Sequence, residues 1–239
     1  MKYLANTTAV VAGGTGSVGE GIVRTLLSEG ARVIVPWRSE EKKNVLYRSI
    51  ADEDRDRLVF RQVALDDESS VVSFRDWLEE TEPRLDLAVA CLGGWYYGYS
   101  LHNMPYADWQ RIIKNHLETH FLFGRSIVSL MHKRHHGTYV MINGGASKLV
   151  APESGVVSIV AAAQKMMAKV FAEEAHGTEV RVYSVVAFNP VKTRDRGVDA
   201  VEEWLSADDL GRYVAHVYRR QVPNPDAIVH TIHSRKDLQ

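Results

Sequence analysis

Gly13-Gly14-Thr15-Gly16-Ser17-Val18-Gly19 stands between a short run of β-branched and small apolar residues, Thr8 to Ala12, and an amphipathic stretch from Val18 to Ser28. A strand, a glycine-rich turn and a helix in that order suit a phosphate binder. The glycines allow a tight turn, and backbone N–H groups come close to an anion at the positive end of the helix. Glycines spaced three apart are weak evidence alone. Their place in the first strand–helix unit makes a dinucleotide pyrophosphate the expected ligand, with a mere packing turn as the alternative.

The second apolar run ends in Val35-Pro36-Trp37-Arg38. A site that prefers NAD places a carboxylate there for the ribose 2′-hydroxyl, whereas an arginine suits the 2′-phosphate of NADP. Trp37 stands where the acid would be. Arg38 is either a phosphate ligand or a solvated charge opening the helix that carries Glu40 and Glu41; the pattern favours NADP(H) over NAD(H). Trp95, Tyr96, Tyr97 and Tyr99 cluster after the fourth apolar run. At the carboxyl edge of a sheet they would line a pocket for a flat or apolar ligand, or else cover the core or a subunit interface. His116 and His120 have metal-ligand spacing on a predicted helix, but no accompanying acid is evident and no metal is expected. His132, His135 and His136 fall near that helix's end, where they suit its dipole. Ser147 and Lys148 lack a Gly-x-Ser-x-Gly elbow, which argues against a hydrolase nucleophile.

These residues need a frame. Thr8 to Ala12, Arg32 to Pro36, Leu58 to Val63, Leu85 to Cys91, Thr138 to Ile142, Val180 to Val186 and Ala227 to Ile232 are short and β-branched, and read as strands. Val18 to Ser28, Glu68 to Glu80, Ala107 to Lys133, Gly155 to Ala175 and Ala207 to Arg220 have helical spacing, the last opened by a Ser206/Asp209 capping box. Such alternation predicts an α/β fold of Rossmann type: a doubly wound parallel sheet of about seven strands with helices on both faces. No linker or repeat divides residues 1–239, so one domain is expected.

Composition narrows the function classes. Lys and Arg number 29 against 30 Asp and Glu, a formal net charge of −1, so the basic excess of a nucleic-acid binder is missing. No apolar leader precedes a cleavage site, and no 18-residue apolar run stands out, so no membrane partner is expected. The single cysteine, Cys91, excludes an intrachain disulfide and points to a reducing, cytoplasmic setting.

The order of motifs resembles the short-chain dehydrogenase/reductase family along nearly the whole chain. After the glycine turn and Arg38 come Asp66-Asp67, where that family often holds adenine. Cys91-Leu92-Gly93-Gly94 follows where the family usually has Asn-Asn-Ala-Gly, and Asn189-Pro190-Val191-Lys192-Thr193 resembles its Pro-Gly loop. The resemblance implies cofactor contacts from Gly13, Thr15, Gly16, Ser17, Val18, Gly19, Arg38, Asp66, Leu92 and Gly93, with Pro190 and Thr193 beside the nicotinamide. It also implies hydride exchange with a small organic substrate, and a homo-oligomer (dimer or tetramer) built on the fourth-to-fifth crossover helix and the helix after the fifth strand. Ala161, Ala162 and Ala163 would permit close helix packing there, or packing on the sheet.

The family's chemistry rests on an Asn, a Ser, a Tyr and a Lys four positions after the Tyr, a spacing that lets the ammonium stabilise a tyrosinate. None of the ten tyrosines here has a lysine four residues on. Laid on the family pattern, Val157 falls at the Tyr, Ala161 at the Lys, Gly144 at the Ser and His116 at the Asn, with Asn115 adjacent. Lys165 lies a further turn along the same helix. The expected substrate pocket is therefore Trp95, Tyr96, Tyr97, Gly144 and Val157, with the proton coming from Tyr96, Tyr97, water or the substrate. An atypical oxidoreductase leads. A catalytically silent cofactor-binding sensor or partner subunit is the alternative, and a binding protein that uses only the aromatic loop is the third.

Overall fold

The computed structural model describes residues 2–195 and 203–238. Its seven strands are β1 (Thr8–Ala12), β2 (Arg32–Trp37), β3 (Leu58–Gln62), β4 (Leu87–Ala90), β5 (Gly137–Gly144), β6 (Val180–Ala187) and β7 (Val229–Ile232). They form one sheet in the order β3-β2-β1-β4-β5-β6-β7. Every neighbouring pair is parallel.

Each parallel step is closed by a crossover, so the strands are covered on both faces. Alternation along β1 shows this directly. Ala9 and Val11 face Ile22, Leu26 and Val214 on one side. Val10 and Ala12 face Phe74, Phe123 and Ile127 on the other. The first face is covered by α1 (Gly19–Ser28) and α7 (Ala207–Tyr218), with α2 (Glu40–Ser49) near the β2 edge. The second is covered by α3 (Glu68–Thr81), α5 (Thr119–Lys133) and α6 (Gly155–Glu174). The helix α6 is long and apolar enough, by length and composition, to cross a membrane. Here its buried residues Val157, Val160, Ala161 and Ala168 face inward, and the helix lies against β5 and β6.

The expected helix over Ala107 to Lys133 is interrupted. It consists of α4 (Tyr106–Ile112), a π-helical turn (Ile113–Glu118) and α5. The wider turn changes which carbonyls have a ladder partner. The His116 carbonyl is taken by the side-chain amide of Gln164 on α6, at 2.8 Å.

The strand order reverses between β1 and β4, which opens a crevice at their carboxyl ends. Gly13 leaves β1 and Cys91 leaves β4 at this point, with Cys91 N–H donating to the Ala12 carbonyl at 2.9 Å.

Candidate active site

The turn after β1 is shaped by two residues that tolerate no side chain. Gly13 has φ +77°, and a Cβ there would lie 2.0 Å from the Cys91 carbonyl oxygen. A Cβ on Gly19 would lie 2.1 Å from the Gly13 carbonyl oxygen. The backbone closes on itself through Gly16 N–H to the Gly13 carbonyl and Glu20 N–H to the Gly16 carbonyl, both 2.9 Å. Val18 then opens α1 without a side-chain cap, so the positive end of the helix faces the crevice.

A cleft of about 330 Å³ lies against this turn, and four strand ends contribute to it. Gly13, Thr15 and Gly16 come from β1; Trp37, Arg38, Ser39 and Lys42 from β2 and α2; Leu65 and Asp66 from β3; Leu92 and Gly93 from β4. Asn115, His116 and Thr119 close the wall from the π turn and α5. The structure thus gathers Gly13, Thr15, Gly16, Arg38, Asp66, Leu92 and Gly93 around one cavity, with Ser17, Val18 and Gly19 in the turn beside it. A wider hollow of about 690 Å³ adjoins at Asp66 and is lined by Asp67, Glu68, Ser69 and Lys114. Its carboxylates would repel a phosphate, so the cleft is the better place for a nucleotide.

Arg38 is exposed and enters no ion pair among the described residues. Ser39 caps α2 by accepting from Lys42 N–H at 3.3 Å, which places Lys42 one turn from Arg38. Lys43 lies 4.7 Å over the Trp37 ring and pairs with Glu40. Asp66 faces Lys114 at 3.7 Å.

The loop after β4 is fixed from below. His120 is fully buried and its Nε2 lies 3.0 Å from the Leu92 carbonyl. A carbonyl only accepts, so Nε2 carries the proton; burial pushes the imidazole pKa down to about 4 and keeps it neutral. Its spacing from His116 serves loop anchoring: Nε2 is already engaged. The His116 ring packs where a Cβ on Gly93 would reach it at 3.4 Å, and burial lowers its pKa, with Arg111 adding to the effect. Burial pushes the Cys91 thiol up to about 12, so it stays a thiol rather than a thiolate at neutral pH.

Beyond the cleft, the end of β5 and α6 meet an apolar cluster. Val157, Val156, Val160 and Ile112 are buried together, with Tyr96, Trp109 and Ala146 packed against them. Of the expected substrate-pocket residues, Tyr96 and Val157 share this cluster. Trp95 and Tyr97 are 62% and 68% exposed and lie outside it. The Tyr96 hydroxyl is buried without a hydrogen-bond partner, and loss of hydration raises its pKa. The Tyr97 hydroxyl is instead hydrogen-bonded to Glu153, which raises its pKa. A Cβ on Gly144 would meet nothing within 4 Å. Asn143, which the sequence left without a role, accepts from Gly144 N–H and donates to the Ala161 carbonyl, both at 2.8 Å. Lys165 donates to the Ser147 carbonyl at 2.6 Å, and burial, Lys148 and Lys169 lower its pKa.

The loop after β6 returns to α1. Lys192 N–H donates to the Leu205 carbonyl at 2.7 Å, and the Lys192 carbonyl accepts from Ala207 N–H at 3.1 Å. Arg194 pairs with the buried Glu20 at 2.9 Å, and Ser17 donates its hydroxyl hydrogen bond to Asp195. Pro190 and Thr193 lie on this returning segment.

The family model described as short chain dehydrogenase matches residues 7–197. The chain belongs to that family. Its motif order and seven-stranded parallel sheet are those of a short-chain dehydrogenase/reductase, as the resemblance implied. An oxidoreductase of Bacillus subtilis (strain 168), YvaG, is 25% identical over 198 residues, 83% of this chain and 72% of that protein. A short-chain type dehydrogenase/reductase of Picea abies is 24% identical over 197 residues, 80% of this chain and 72% of the relative. Among solved structures, a short-chain type dehydrogenase/reductase from Mycobacterium ulcerans superposes with a TM-score of 0.86 at 16% identity, covering 98% of this chain and 91% of the other. A metagenomic short-chain oxidoreductase in complex with NADP gives 0.78 at 22% identity, covering 97% of each chain. At these identities the structural likeness establishes the fold alone. In this family fold, the glycine turn and the β4 loop meet at the strand reversal.

Proposed function

We propose that this short-chain dehydrogenase/reductase binds NADP(H) in preference to NAD(H) and moves hydride between it and a small organic substrate. The observation that carries the reading is the 330 Å³ cleft, which joins the glycine turn to Arg38 and Lys42 on one wall and Leu92-Gly93 on the other. The turn fits a pyrophosphate, because two glycines leave the backbone free to approach it. Arg38 and Lys42 would hold a 2′-phosphate, and Asp66 would lie toward the adenine. Pro190 and Thr193 would lie by the nicotinamide. When bound, the dinucleotide supplies or accepts the hydride.

The chain's own residues decide the proton. Val157 and Ala161 stand where the family pattern has its Tyr and Lys, and both are buried apolar groups. Tyr96 packs against the apolar cluster that includes Val157, and its hydroxyl lacks a partner. That hydroxyl is protonated at neutral pH and can donate to a substrate anion formed after hydride transfer, although its raised pKa makes it a weaker acid than a free tyrosine. An activated double bond tolerates a weak donor better than a ketone does. The silent-subunit reading is favoured by the same apolar cluster, because the two helix positions that hold Tyr and Lys in the family pattern carry no titratable group here.

The exposed apolar residues Phe121 on α5 and Ile159, Met166 and Val170 on α6 support a homo-oligomer, dimer or tetramer, formed through those helices. The single free cysteine, Cys91, accords with a cytoplasmic setting. Calorimetric titration with NADPH and NADH tests the cofactor reading, and a Tyr96→Phe variant tests the donor.

A further inference from the structure

The cleft's phosphate end already holds a negative charge that belongs to the protein. Asp195 accepts the Ser17 hydroxyl hydrogen bond within the glycine turn, just ahead of the uncapped end of α1. Arg194 fixes the same segment from the other side by its 2.9 Å pair with Glu20, a first-turn residue of α1 that is buried. Arg194 Nε also lies 3.6 Å from the Asp195 carboxylate itself. Asp195 is therefore met by a hydroxyl of the phosphate turn and by the guanidinium that ties its segment to α1. An exposed carboxylate on a loop needs no such surroundings.

We propose that Asp195 is a built-in competitor for the cofactor's phosphates, held over the amino end of α1 and displaced when the dinucleotide enters. The inference rests on the cofactor reading given above. It makes Asp195 a determinant of cofactor affinity. Two anions cannot share Ser17 and the field of one helix terminus without repulsion, so entry requires the 188–195 loop to release the turn. Displacement also frees Thr193, two residues before Asp195, to settle on the bound ligand, so one event couples cofactor entry to loop position.

The test is calorimetric titration of the full chain with NADPH and with NADH, for wild type, Asp195→Asn, Asp195→Ala and a remote control, Asp226→Asn. Asp226 is exposed and pairs with Arg220, away from the turn. Both Asp195 variants should bind NADPH roughly tenfold more tightly, from the helix-terminus and charged hydrogen-bond contributions released. NADH, which carries the same pyrophosphate, should gain similarly, and Asp226→Asn should match wild type. Unchanged or weaker NADPH binding in both Asp195 variants, with wild type binding well, would overturn the inference and leave the cofactor reading intact. Absence of binding in wild type and variants alike would overturn both.

Discussion

Asp209→Asn should unpick the support beneath the cofactor loop while leaving the cleft's own side chains in place. The Asp209 carboxylate is 1% exposed and accepts four bonds: from Ser206 N–H and the Ser206 hydroxyl at 2.8 Å each, from Arg235 Nε at 2.9 Å, and from Arg212. Burial alone would raise its pKa. The bonds outweigh that penalty and hold the carboxyl at about 2, against 3.8 for the free side chain. A gap of that size contributes about 2 kcal/mol, at roughly 1.4 kcal/mol for each pH unit. The folded pKa is depressed, so this stability is fully present above the unfolded value near pH 4 and is lost as pH falls through 2. Asparagine mimics the protonated acid at every pH. At pH 7 the variant should melt about 4–8 °C below wild type, the shift expected for a chain of this length. The gap should narrow as the buffer is taken below pH 4. Differential scanning calorimetry from pH 7 to pH 3 reads both effects. Equal melting temperatures at pH 7, or a gap that stays constant down to pH 3, would refute the reasoning. The consequence reaches the site, because Ser206 is bridged to Lys192, and Lys192 positions the Pro190–Asp195 segment.

Tyr96→Phe removes a hydroxyl that has no internal partner, so the fold should hold within about 0.5 kcal/mol by chemical denaturation. Hydride turnover in a carbonyl and enone screen should fall by about 10²-fold or more if Tyr96 is the donor; unchanged turnover would assign the proton to water or to the substrate. Met166→Glu combined with Val170→Glu places two charges on the exposed apolar face of α6. Light scattering should report a smaller species than wild type, and an unchanged mass would move the interface elsewhere.

The sheet was legible in the sequence because parallel strands buried on both faces leave short β-branched runs, and β1 was delimited residue for residue. The glycine turn was legible for a steric reason: few other sequences tolerate the approach of Gly13 to Cys91. The break at Ile113–Glu118 was not, because one extra residue in a turn hardly alters apolar periodicity. The role of His120 was not legible, because it serves a backbone carbonyl 28 positions earlier, a long-range contact that its spacing from His116 cannot express. Asn143 was missed for the same reason, since its partner Ala161 lies on another element. Trp95, Tyr96, Tyr97 and Tyr99 read alike as a cluster, but alternation along an extended loop sends Tyr96 inward and leaves Trp95 and Tyr97 in solvent. The Ser17–Asp195 contact spans 178 positions and left no local trace.

The central claim is a working NADP(H) site, and calorimetric titration of wild type and Arg38→Ala with NADPH and NADH tests it most directly. The account predicts that NADPH binds more tightly than NADH. Arg38→Ala should weaken NADPH by about tenfold or more, roughly 1.4 kcal/mol, while changing NADH little. Failure of wild type to bind either nucleotide would contradict the account and leave a scaffold, or a ligand of another kind, in the cleft.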